Sequence, residues 1–133
     1  MPQFGWTDEE VFRVAERAHS LYLQGAYASA GALFEGLVEL DPGNRYCHNS
    51  LAAVYLALGK PQQAVGQATV LLARYPDDIA ARACRCEAYV RMNRLEEAQK
   101  DFEVLYRTPK ARAHARRLSL RIQACMAGFV DAS

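Results

Sequence analysis

Features that define several large classes of protein are missing from this 133-residue chain. It has no apolar run near the roughly 20 residues that cross a bilayer. Its first ten residues, MPQFGWTDEE, lack the basic and apolar regions of a secretory signal. Glycine and proline number only 8 and 5, which excludes collagen-like and low-complexity sequence. We therefore expect a single cytoplasmic domain over residues 1–133 that does not contact a membrane.

Sites for chemistry are missing as well. The three histidines show no His-x-x-x-His spacing, and neither a nucleophile motif nor a glycine-rich phosphate loop is present. Cys84 and Cys86 would point about 200° apart on a helix, so they cannot converge on one ion. We therefore expect no catalytic residue, no metal site and no cofactor, and we expect reduced, buried thiols rather than a disulfide framework.

Charge is balanced overall but uneven along the chain. The net charge is +1, yet residues 1–44 carry 2 basic and 7 acidic side chains, whereas residues 79–133 carry 11 basic and 6 acidic ones. This asymmetry favours either a partner with complementary ends or head-to-tail association into a homodimer, and a solvated helix face is the plainer interpretation. Nucleic-acid binding is disfavoured, because the basic tail lacks interleaved aromatic residues.

A period of 34 residues runs through most of the sequence. Similar residue types recur at this step in four columns: Gly25, Gly59 and Asn93; Ala30, Ala64 and Ala98; Leu37, Leu71 and Leu105; Pro42 and Pro76. Glycine or asparagine closes a first helix in a left-handed conformation. The alanines let two antiparallel helices approach closely, and the prolines stop the second helix. Each unit is therefore predicted to be a helix hairpin.

These columns resemble the tetratricopeptide repeat family, with units at about 11–44, 45–78 and 79–112. The resemblance implies an all-α fold, a right-handed α-α superhelix of three helix hairpins. Three departures stand out. In the third unit, Pro109 comes one position before the proline column. Asn93 replaces glycine in the third unit, and the column usually held by a large apolar residue near each start reads Val14, His48 and Arg82.

Both ends of the array carry recognisable signals. Thr7 and Glu10 form a capping box, with Trp6 and Val11 spaced as a hydrophobic staple, so the first helix should begin at Asp8. A C-terminal capping helix is predicted at about 110–129. Its apolar stripe consists of Ala111, Ala115, Leu118, Ile122, Cys125, Met126 and Phe129.

The family resemblance also implies a binding surface on the first helix of each unit. Stacked hairpins curve, and their first helices line a concave groove that accepts an apolar peptide or helix of a protein partner. The groove positions taken from the family pattern are Phe12, Ala15, His19, Tyr22, Tyr46, Asn49, Ala53, Leu56, Ala83, Glu87 and Val90. The alternative is that about half of these residues simply pack against neighbouring helices.

Two subtypes of the family bear on function. Repeats that bind the acidic C-terminal tails of heat-shock chaperones carry a clamp of Lys, Asn and Arg. The matching positions here hold Ala15, His19, Ser50, Ala80 and Cys84. The clamp is therefore absent, and a heat-shock co-chaperone role is disfavoured. The stretch LYLQGAYASAGALFEGLVELD, at 21–41, with three repeats and a terminal helix, resembles class II chaperones of type III secretion. That resemblance implies a non-enzymatic cytosolic chaperone that holds an export substrate in its groove. The alternative is a scaffold or adaptor in another complex, for example in motility or polarity.

Overall fold

The computed structural model describes residues 6–113 and 115–118, and this part of the chain is entirely helical apart from its turns. The helices are α1 (Asp8–Leu23), α2 (Tyr27–Leu40), α3 (Arg45–Ala57), α4 (Pro61–Arg74), α5 (Ile79–Arg91) and α6 (Leu95–Arg107), followed by a 3₁₀ turn at Pro109–Ala111. The expected all-α fold is confirmed. Within the described ranges, none of the helices is long and apolar enough to span a bilayer.

The turns inside the three hairpins have the predicted left-handed geometry. Gly25 and Gly59 have φ angles of +84° and +73°, and Asn93 has a φ angle of +57°. Asparagine is one of the few side-chain-bearing residues that enter this region at low cost. The substitution of Asn93 for glycine in the third unit therefore preserves the turn.

The first helix of each hairpin starts on a side-chain cap. The capping box at α1 is complete, because the Glu10 N–H donates to the Thr7 hydroxyl and the Thr7 N–H donates to the Glu10 carboxylate. Asn44 caps α3 and Asp78 caps α5, each accepting the N–H of the residue three positions ahead. As predicted, α1 begins at Asp8. Helices α3 and α5 begin at the first residues of the second and third predicted units.

The repeating columns form the core between helices. Ala30, Ala64 and Ala98 are fully buried, and their small side chains allow the two helices of each hairpin to approach closely. Leu37, Leu71, Leu105 and Phe34 are the larger buried side chains that fill the space between successive helices. The role of the alanine column is the one predicted from the 34-residue period.

Neighbouring hairpins stack so that the first helices lie side by side. Each helix packs against the next along the chain, and α1 also contacts α3, as α3 contacts α5. Helices α1, α3 and α5 therefore make a continuous wall, which we call the inner wall. This wall carries the groove positions predicted from the sequence.

The C-terminal segment is described only in part. Helical backbone continues at 112–113 and 115–118. Ala111, Ala115 and Leu118 are buried against the third hairpin, at 0%, 0% and 5% exposure. These three residues pack against the C-terminal side of the third hairpin. The rest of the predicted capping helix, including Ile122, Cys125, Met126 and Phe129, lies outside the described residues.

Candidate functional site

The N-terminal half of the inner wall holds two cavities that share Tyr46. The first, of about 360 Å³, is lined by Asp8, Val11, Phe12, Ala15, Glu16, Asp41, Asn44 and Tyr46. The second, of about 210 Å³, is lined by His19, Tyr22, Phe34, Tyr46, Asn49, Ser50 and Ala53. Seven of the residues predicted from the sequence to line a groove thus lie together between α1 and α3.

Two exposed aromatic side chains dominate the first cavity. Phe12 is 52% exposed and Tyr46 is 48% exposed, although both are large and apolar enough to favour burial. The Tyr46 ring is held edge-on to the buried Phe34 ring, with centroids 6.3 Å apart. Tyr46 is therefore anchored at its base while one face stays open, which suits a surface that accepts an apolar side chain.

The second cavity is walled by aromatic rings from the first hairpin. His19 and Tyr22 stack with centroids 6.3 Å apart, and Tyr22 meets Tyr27 at 5.4 Å. The lining carries no carboxylate, unlike the first cavity. The two cavities therefore differ in electrostatic character although they share one wall.

The first cavity is open because the side chains at the joint between units one and two are short. At the joint between units two and three, Arg45 and Asn49 extend towards the N-cap residue Asp78. Arg45 donates to Asp78 at 2.8 and 3.3 Å, and Asn49 donates at 3.2 and 3.3 Å. One unit earlier, the corresponding positions hold Val11 and Ala15. Neither can reach across, so the space remains as a cavity.

The polar contacts around Asp78 also set its ionisation. Burial alone would raise the pKa of this carboxyl, but hydrogen bonds from the Ala81 N–H, Arg45 and Asn49 outweigh that effect and lower the pKa. Asp78 is therefore charged at neutral pH. The guanidinium of Arg45 also lies 4.1 Å from the centroid of the Tyr75 ring, which holds it across this joint.

Four of the predicted groove residues, in the second and third units, lie outside the two cavities. Val90 is 1% exposed and Leu56 is 9% exposed, so both side chains belong to the core, and neither lines the two cavities. Leu56 packs in the cluster of the first two hairpins that reaches Ala88, and Val90 packs with Ala98, Leu105 and the segment after α6. Glu87 pairs with Arg91 at 2.8 Å, and Arg91 donates to the Leu56 carbonyl at 2.7 Å. Ala83 and Glu87 line neither of the two cavities.

The unusual column of His48 and Arg82 has a clear structural role. His48 Nε2 donates to the Pro42 carbonyl at 2.8 Å, and its Nδ1 lies 2.9 Å from Gln67 Oε1. Arg82 makes the equivalent pair of contacts, with the Pro76 carbonyl at 2.9 Å and with Asp101 at 3.2 Å. The sequence shows that His48 and Arg82 depart from the family pattern, but it does not directly show which residues they contact. The repeat period offers a signal for these contacts, because Gln67 and Asp101 are 34 residues apart, as are His48 and Arg82.

The cysteines in the described part of the chain are free thiols in poorly reactive surroundings. Cys47 and Cys86 are buried, and Cys84 is partly buried. Burial raises the pKa of Cys47 to about 11 and the pKa values of Cys84 and Cys86 to about 12. Among the residues placed by the structure, no group of His, Cys, Asp or Glu side chains could hold a metal ion.

Sequence comparison identifies a repeat family. Residues 21–85 match the family model described as tetratricopeptide repeat. The chain is also similar to mouse DnaJ homolog subfamily C member 3, with 32% identity over 94 residues, or 71% of this chain. It spans only 19% of the length of that relative. The similarity therefore concerns the repeats and not the whole relative.

Structural comparison finds the same architecture in secretion chaperones. PcrH from Pseudomonas aeruginosa superposes with a TM-score of 0.81 at 18% identity, covering 95% of this chain and 99% of PcrH. SycD, the type III secretion translocator chaperone of Yersinia enterocolitica, gives a TM-score of 0.80 at 18% identity, covering 96% and 90%. PcrH bound to the chaperone binding region of PopB gives 0.78 at 18% identity, covering 88% and 98%. At this identity the likeness establishes the fold.

Proposed function

Because residues 21–85 are tetratricopeptide repeat sequence and the described residues adopt that family's fold, we propose that the chain is a cytosolic chaperone of a type III secretion system. In this role it holds a segment of an export substrate against the inner wall. The observation that carries the proposal is the exposed pair Phe12 and Tyr46 beside an apolar-floored cavity. Exposed apolar surface of this kind marks a site for a partner.

The mechanism of holding follows from the two cavities. An apolar side chain that enters either cavity exchanges water for contact with aromatic surface, which supplies the main driving force. Because Tyr46 belongs to both cavities, it would contact a segment that occupies either of them. Aromatic residues at such central positions commonly dominate binding energy. A chaperone of this kind needs no catalytic residue, since its action is to cover the substrate's apolar segment until export.

Resemblance to solved chaperones supports the proposal. PcrH binds the chaperone binding region of PopB, and SycD is described as a translocator chaperone. The superpositions cover 90% or more of this chain and also of PcrH and SycD, so the likeness extends over nearly the whole of each aligned chain. A translocator subunit is therefore the substrate class that we propose for this chain.

The test is co-purification of the tagged chain with its partner from native cells, followed by substitution at Tyr46. We expect a translocator subunit to co-purify, and we expect Tyr46→Glu to abolish its capture by burying a charge in the site. The matched control is Tyr106→Glu, because Tyr106 is 58% exposed on α6, also packs against one phenylalanine and lines neither cavity. Capture that survives Tyr46→Glu but is lost with Tyr106→Glu would favour the scaffold or adaptor alternative through the outer face.

A further inference from the structure

The first cavity differs from the second in carrying three carboxylates at its rim. Asp8, Glu16 and Asp41 line it together with Val11, Phe12, Ala15 and Tyr46, and its lining contains no lysine or arginine. Asp8, Phe12 and Glu16 are four residues apart in turn, which places them along one face of α1. An apolar floor is thus flanked by carboxylates on both α1 and the loop after α2.

The helix ends explain only part of this arrangement. Acidic residues in the first turn of a helix stabilise it, which accounts for Asp8. Glu16 lies more than two turns further along α1, and Asp41 is the C-cap residue of α2, where a negative charge is unfavourable. The Asp41 carboxylate accepts a hydrogen bond at 3.3 Å from the side chain of Asn44, which is the N-cap residue of α3. Glu16 therefore has no role at a helix end, and it lines the cavity together with the two carboxylates that lie near helix ends.

A divalent cation is not the occupant that fits this rim. In the described part of the chain, no set of three acidic, histidine or cysteine side chains comes close enough to hold a metal ion. The rim encloses exposed aromatic surface, which a hydrated cation does not cover. A ligand that satisfies both features carries an apolar group next to a positive charge, as a peptide does when Lys or Arg neighbours an apolar residue.

We propose that the first cavity selects a partner segment in which an apolar anchor is directly flanked by a lysine or arginine. This inference rests on the proposed function, because it assigns a substrate class to the same inner wall. The apolar anchor lies against Phe12 and Tyr46, and the flanking cation faces the acidic rim formed by Asp8, Glu16 and Asp41. A flanking acidic residue would be repelled, which gives the site discrimination as well as attraction.

The charge difference between the cavities also orients the bound segment. The second cavity is lined by neutral polar and aromatic side chains together with His19, and it offers no carboxylate. A segment with an anchor in each cavity therefore places its basic residue at the Asp8 end of the groove. An apolar groove without this rim would accept the reversed segment equally well.

The test measures binding of short fluorescein-labelled peptides with Leu, Val, Phe or Tyr anchors, each made with Lys, Gln or Glu beside the anchor. We expect the Lys version to bind roughly two- to fivefold tighter than the Gln version, as for an exposed ion pair, and the Glu version to bind weakest. Glu16→Gln should reduce this preference, and added salt should reduce it in the unmodified protein. Glu39→Gln is the matched control, because Glu39 is exposed on α2 and lines neither cavity.

The outcomes separate this inference from the proposed function. Binding that depends on Tyr46 but is equal for the Lys, Gln and Glu versions overturns the basic-flank inference and leaves the groove assignment intact. Binding that survives Tyr46→Glu overturns both. Self-association that depends on Glu16, measured by sedimentation without peptide, makes a second copy the occupant and overturns the proposal for a separate partner.

Discussion

Asp101 shows how one carboxylate can organise a hairpin. It is 2% exposed on α6, and two arginines of α5 converge on it: Arg85 donates at 2.7 and 2.8 Å, and Arg82 donates at 3.2 Å. The hydrogen bonds to Asp101 raise the pKa of Arg85, so that guanidinium stays charged. Burying a carboxylate is unfavourable unless it is paired in this way.

We predict that Asp101→Asn destabilises the protein strongly. The substitution leaves two poorly solvated guanidinium groups without a counter-charge, and breaking a buried pair in this manner typically costs about 3–5 kcal/mol. Chemical denaturation measures the loss. Glu103→Gln is the control on the same helix, because its pairing with Arg107 is exposed and long, at 3.7 Å, and it should change stability by under about 1 kcal/mol. Equal effects of the two variants would show that Asp101 has no special role.

At the scale of the element, the backbone conformation of a glycine determines whether adding a side chain there stabilises or destabilises the protein. Gly59 closes the second hairpin with a φ angle of +73°, whereas Gly66 lies inside α4. An added Cβ would meet no atom within 4 Å at either position. Steric contact is therefore equal at the two sites, and only the local conformation differs.

Replacing these two glycines by alanine should consequently have opposite effects. Gly59→Ala forces an L-residue into the left-handed region and should destabilise by about 1–2 kcal/mol. Gly66→Ala removes backbone freedom from the unfolded chain and should stabilise the helix by roughly 0.5–1 kcal/mol. Thermal unfolding followed by circular dichroism measures both. A change of the same sign at the two positions would contradict the assigned role of the turn.

For the molecule as a whole, buried side chains are distributed over separate clusters. One spans the first two hairpins and reaches Ala88, a second joins the third hairpin to Ala111, Ala115 and Leu118, and a third lies at the α4–α5 joint. In a repeat array each unit is stabilised mainly by its neighbours, so the ends can open without the centre. The cavities belong to the opposite end from the C-terminal cover.

We predict that Leu118→Ala loosens the third hairpin before the first two. Truncating a buried leucine costs about 2–5 kcal/mol in a core, and here the loss falls on the cluster that includes α5 and α6. Hydrogen exchange should accelerate in α6 and α5 more than in α1 and α3. Leu23→Ala, at a position that is 71% exposed, is the control and should leave exchange nearly unchanged. Uniform acceleration along the chain would show that the array unfolds as one unit.

Much of this architecture could be predicted from the sequence because the period repeats three times. The hairpin turns, the buried alanine column and the start of α1 at Asp8 all follow from local rules that act within a few residues. The partners of Arg82 could not be derived from its own position, because they depend on how α5 lies against α6. Likewise, Val90 and Tyr46 occupy groove columns, but packing between helices leaves only Tyr46 exposed.

The joint at which Arg45 and Asn49 reach Asp78 shows how the neighbouring opening arises. The same geometry one unit earlier contains Val11, Ala15 and Asn44 in place of the arginine, the amide and the carboxylate. The first cavity therefore results from short side chains at one joint, which leave open a volume that longer side chains fill at the next joint. The turns, helix caps and alanine contacts are alike at both joints, so the cavity arises without any change in the repeat scaffold.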